Sequence, residues 1–136
     1  MPRLTRYFIK SAMIYLIAAF VAGVAIQDPV AARLPVLRAF WPTYVHLLVV
    51  GWLTQLIFGV AYWMFPRYSA ERPRASERLG WTTFALLNIG LVVRIIGEPS
   101  YRIAGRGGAT LVVSAVLQLL AVWAFVLNTW PRVRER

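Results

Sequence analysis

Four apolar stretches, each about the length needed to cross a bilayer, leave this chain of 136 residues few ways to fold. They run over about 7–26, 42–64, 79–96 and 109–130, and arginine-rich or turn-rich connections separate them. A helix needs roughly 20 apolar residues to span the ~30 Å hydrocarbon layer. Backbone polar groups inside that layer must be satisfied within the protein, which leaves helices or closed barrels. Long continuous runs predict helices, so the expected fold class is all-α: an integral membrane protein with four transmembrane helices. The chain is 60% hydrophobic, which agrees with that class.

Charge sets the expected orientation. One side of a four-span topology collects Arg3, Arg6, Lys10, four arginines of the 65–78 loop, and Arg132, Arg134 and Arg136. The other side holds Arg33, Arg38, Arg102 and Arg106. Cytoplasmic loops carry the excess of Lys and Arg, so both termini are expected in the cytoplasm of a bacterial or archaeal inner membrane. The net charge of +10 is spread between spans, where it meets lipid head groups, and no nucleic-acid partner is expected.

The connections differ in character. Gly23-Val24-Ala25 has the small residues of a signal-peptide cleavage site, but the first apolar stretch is read as a retained span. Residues 30–40 are too short and charged to cross and read as an interfacial segment, with Pro35 expected to break any helix. Residues 97–108 (GEPSYRIAGRGG) read as an outer loop. Gly105-Arg106-Gly107-Gly108 lacks the Lys-Ser/Thr of a phosphate loop.

With no cysteine, one histidine and five carboxylates, the inventory for catalysis is thin. Disulfides and thiolate metal sites are excluded. The histidine, His46, lies just inside the outer end of the second span, and an ionisable residue there is a functional-site hypothesis by default. It reads either as a ligand to haem or another metal, or as a packing residue bonded to a backbone carbonyl. At 100° per residue, His46 shares a stripe with Val50, Leu53, Ile57, Val60 and Met64. The opposite stripe of Gly51, Gln55, Gly59 and Tyr62 reads as a helix-packing face. In the third span, Asn88 and Gly90 also read as packing residues. Arg94 has Glu98 at i+4, a spacing that suits an ion pair. Alternatively Arg94 snorkels towards the outer interface or, with Arg38 at the same outer level, meets an acidic group of a cofactor. A small transporter lined by Gln55, Asn88 and Arg94 has less support, because no acidic relay is visible.

The segment HLLVVGWLTQLIFGVAYWMFPR (His46–Arg67), followed by LLNIGLVVRIIGEP (Leu86–Pro99), resembles subunit I of the haem–copper oxidases, nearest the nitric oxide reductase and cbb3-type branches. The likeness covers about 20 residues of the second span and is weaker in the third. It implies a haem-ligating role for His46. Those subunits hold twelve helices as three arcs of four, and this chain is similar to one arc. The resemblance therefore implies a homotrimer imitating the large subunit, with haem b, or less readily copper or another metal, held through His46. The family uses several histidines where this chain has one, so complete oxidase chemistry in a single chain is excluded on ligand count. The alternative is a non-catalytic accessory or scaffold subunit of a respiratory or photosynthetic membrane complex, with no cofactor of its own.

Overall fold

The structure is a computed structural model that describes residues 1–29, 33–66 and 76–133. Most of the arginine-rich 65–78 loop, together with Arg134 and Arg136, lies outside the described residues. The described chain is helical throughout. Its elements are α1 (Arg3–Gln27), α2 (Pro35–Ala39), α3 (Trp41–Met64), α4 (Glu77–Ala104) and α5 (Gly108–Thr129), closed by a 3-10 turn at Trp130–Arg132. Four helices are long and apolar enough to cross a membrane, the make-up of an integral membrane protein.

Local chemistry explains where the helices begin and end. The Ser76 hydroxyl accepts from the Leu79 N–H and caps α4. Gly105 (φ 64°) and Gly107 (φ 103°) take the left-handed backbone needed for the tight turn into α5. That turn is shorter than the outer loop expected over 97–108, because α4 runs through Pro99 to Ala104. Proline removes one backbone bond, yet neighbouring side chains can hold such a helix together in a membrane. Here the Ser100 hydroxyl donates to the Ile96 carbonyl (2.8 Å), and Glu98 ties the turns on either side of it. Pro35, expected to break a helix, instead opens the short α2 from its first position, where its missing N–H costs nothing. Residues 30–32 of the interfacial segment lie outside the described residues.

The helices pack as two close pairs. In the first, α1 lies on the glycine face of α3. A Cβ placed on Gly51 would fall 2.8 Å from Tyr15 Cγ, and one on Gly59 would fall 2.8 Å from Phe8 Cβ. In the second, α4 and α5 run side by side. Gly90 faces Leu117 and Gln118, Gly97 faces Thr110, and the Ser114 hydroxyl donates to the Gly90 carbonyl (2.7 Å). Small residues serve here because lipid is as apolar as leucine, so association depends on close van der Waals fit and interhelical hydrogen bonds. Between the pairs sits an aromatic core. Phe58 of α3 stacks on Phe125 of α5 at 3.8 Å, and Phe8 meets Phe84 edge-on at 5.1 Å.

The central part of α3, Leu47–Thr54, is a π-helix rather than a continuation of the α-helix. The wider turns keep its faces in phase at a spacing of four. Thr43, Leu47, Gly51, Gln55 and Gly59 are buried, while Val45, Val49, Leu53 and Ile57 are exposed. In a regular α-helix each four-residue step would slip by ~40°. The Thr54 hydroxyl donates to the carbonyl of Val49, five residues back, across this wider winding (2.8 Å).

The fit of Gly51 on Tyr15 leaves no room for a side chain. Gly51→Val is expected to destabilise the protein by about 1–3 kcal/mol. Thermal unfolding in detergent, followed by circular dichroism, checks this. An unchanged midpoint would mean that α1 does not sit on this face.

Candidate functional site

His46 stands at the junction where the first α-helical turns of α3 pass into the π-helical segment. Trp41-Pro42 supplies the start of that helix, with Pro42 among its first two positions. The Pro42 carbonyl then lies one turn before His46, and His46 Nδ1 lies 2.9 Å from it. A carbonyl can only accept, so Nδ1 carries the proton and donates. In the neutral ring this leaves Nε2 as the nitrogen with the lone pair. Histidines that bind metals are oriented in this way, by donating from the other ring nitrogen to a carbonyl or carboxylate.

The π-helical register corrects the stripe expected from a regular wheel. Val50 and Thr54, spaced by four from His46, are half-buried as it is, whereas Leu53 and Ile57 belong to the exposed column. His46 is thus on the flank of α3, between its packed and its exposed faces.

Arg94 and Glu98 form the expected i+4 ion pair, Nη2 to Oε2 at 3.1 Å. Glu98 is 5% exposed, and its other oxygen lies 3.5 Å from Arg102 Nε. One buried carboxylate is therefore held between arginines one turn before and one turn after it. A helix of 28 residues is ~42 Å long, well beyond a ~30 Å hydrocarbon layer. The Nε of Arg94 is buried and has no hydrogen-bond partner among the described residues. Arg38 is exposed on α2, which packs against α4. The hydrogen bond of His46 and the ion pair of Arg94 both run along their own helices, and neither joins the two residues.

Deeper in the molecule, the packing candidates meet in one polar chain across three helices. The Tyr15 hydroxyl donates to Asn88 Oδ1 (3.0 Å), and Asn88 Nδ2 donates to Gln55 Oε1 (2.8 Å) and to the Phe84 carbonyl. Gln55 Nε2 donates in turn to the Gly51 carbonyl (3.1 Å). Among the described residues there is no group of three His, Cys, Asp or Glu that could hold a metal.

Arg132, Asn128 and Tyr15 make decisive contacts that the sequence reading did not assign. Arg132, which reads there as one more basic residue of the tail, is 2% exposed. Its guanidinium donates to the carbonyls of Tyr62 (3.3 Å), Phe65 (2.8 Å) and Pro66 (3.0 Å), closing the open end of α3. Asn128 and Ser76 exchange two 3.0 Å bonds that fasten the end of α5 to the start of α4. Tyr15 is the third. The polarity of Asn128 within an apolar span was a usable signal, whereas nothing in the sequence separates Arg132 from its basic neighbours.

No known protein family, no curated protein and no solved structure matches this chain. The arrangement of residues must therefore carry the functional reading by itself.

Removing one partner of a buried ion pair is costly because a charge is left uncompensated. Glu98→Gln is expected to lower stability by up to ~3 kcal/mol. Arg102→Gln, at a side chain that is half exposed, should cost ~1 kcal/mol or less. Equal effects in detergent unfolding experiments would show that Glu98 is not the hub of this cluster.

Proposed function

We propose that this chain is a four-helix membrane protein of the haem–copper oxidase kind, a single arc of that core, which binds haem through His46 as a homo-oligomer. The observation that carries the reading is the Nδ1 bond from His46 to the Pro42 carbonyl, which leaves Nε2 as an oriented ligand atom. The histidine sits on a half-buried flank beside Val45, Val49 and Val50, apolar neighbours suited to a flat macrocycle. A bound haem would supply one-electron transfer. Each chain offers one histidine, so a second axial ligand comes from another copy or from a partner subunit. A trimer is the favoured assembly, since three copies of a four-helix arc would imitate the twelve-helix core, and closed cyclic symmetry is the usual outcome for homo-oligomers. Both termini face the cytoplasm on the distribution of arginine, which puts His46 near the outer face. In this reading Arg38 and Arg94 are the cations of that level that meet acidic groups of the cofactor.

A second reading is favoured by the Arg94–Glu98 pair. An arginine neutralised within its own helix needs no external acid, which suits an accessory subunit without a cofactor. Copper or another metal in place of haem is a further variant of the first reading.

Protein purified from haem-replete cells is expected to show a Soret band, lost in His46→Ala and retained in Arg102→Gln. A colourless, metal-free preparation that co-purifies with larger subunits would replace this reading with the second.

A further inference from the structure

The strongest concentration of unpaired charge on the described surface lies at the end of the molecule away from His46. Arg3, Arg6, Tyr7 and Lys10 of α1 surround a hollow of about 340 Å³, within the ~300–1,000 Å³ range of small-ligand sites. At 100° per residue the four side chains fall in one ~100° sector of the helix. The three cations are exposed, and no acidic residue occurs before Asp28. The first turn of α1 has no side-chain cap and no acid, so its free backbone N–H groups add to the positive field. Tyr7 is held in place, with its ring edge-on to Trp81 (5.3 Å) and near Phe84 (6.2 Å) of α4. These are the amphipathic aromatic rings that mark a membrane interface.

The same sector of α1 continues beyond Lys10 as Ile14, Ile17, Val21 and Val24, all exposed. Cations grouped around a hollow are thus followed, on one face, by an apolar track. That is the order of a phospholipid, head group first and acyl chains after. We propose that the hollow holds the phosphodiester of one anionic glycerophospholipid, with its chains lying along this track. Among the described residues the acid at this end is Glu77 of α4, which lines the neighbouring cleft with Pro2, Leu4 and Thr5; three cations against it favour an anionic head group over a zwitterionic one, whose ammonium they would repel. The inference is independent of any cofactor at His46.

Native mass spectrometry tests it on the full chain, purified in detergent and equilibrated with mixed phosphatidylcholine and phosphatidylglycerol. The wild type is expected to retain one phosphatidylglycerol, enriched over the mixture, and a tenfold excess of inorganic phosphate should not displace it. Enrichment is expected to fall about fivefold for each cation removed, and to vanish in Arg3→Gln/Arg6→Gln/Lys10→Gln. The charge-matched Arg33→Gln/Arg102→Gln/Arg106→Gln protein should keep it. If the first triple variant does not fold, Arg6→Gln alone should show the fivefold loss and Arg6→Lys should restore it. Absence of enrichment in the wild type, equal loss in both triple variants, or displacement by inorganic phosphate would each overturn the proposal.

Discussion

The contact of α1 with the glycine column of α3 is the interaction on which the other elements depend. Hydrocarbon gives helices no hydrophobic reason to associate, so backbone proximity has to supply the attraction. Gly51 and Gly59 let Tyr15 and Phe8 lie directly on the α3 backbone. A regular α-helix would turn Gly59 ~80° from Gly51 over these eight residues. With the π-helical winding of Leu47–Thr54, Gly51, Gln55 and Gly59 all lie on the buried face. Once α1 is seated, Tyr15 reaches Asn88, and Asn88 reaches Gln55, so the α4–α5 pair is joined to the α1–α3 pair by hydrogen bonds that hydrocarbon makes costly to break.

The two ends of the bundle are secured differently. At the end carrying the termini, Arg132 closes the last carbonyls of α3, and Asn128 clasps Ser76. A cation at a helix C-terminus also opposes the helix dipole, which suits the buried guanidinium. The other end has the glycine turn at Gly105–Gly107 and the Arg94–Glu98–Arg102 cluster. His46 belongs to that end but to neither cluster. Among the described residues its hydrogen bond runs to its own helix, from Nδ1 to the Pro42 carbonyl.

Much of this was legible in the residues themselves. Apolar length alone predicts four helices, and the i+4 spacing predicts the Arg94–Glu98 pair that the structure contains. The packing role of Gly51 and Gly59 follows from their lack of a side chain. Helix ends were harder to read, because Pro99 and Pro35 look like breakers when their neighbours are ignored; Ser100 and Glu98 carry α4 through the first, and the second sits where a helix can start. The π-helical winding has no sequence signal that a 100° wheel can detect, and it moves His46 off the stripe of Leu53 and Ile57. Contacts between distant segments, such as Arg132 with Pro66, depend on tertiary geometry that no local pattern encodes.

The register of α3 is therefore the central claim, since it decides both what packs on α1 and where His46 is presented. The chain contains no cysteine, so a single cysteine can be introduced without background at each position from 45 to 57 except Gly51, where no label fits. Nitroxide labels at those positions, read by oxygen accessibility in lipid, test the register directly. Maxima at 45, 49, 53 and 57, with minima at 47 and 55, are expected. Maxima that slip to 45, 49, 52 and 56 would mean an ordinary α-helix and would contradict the account.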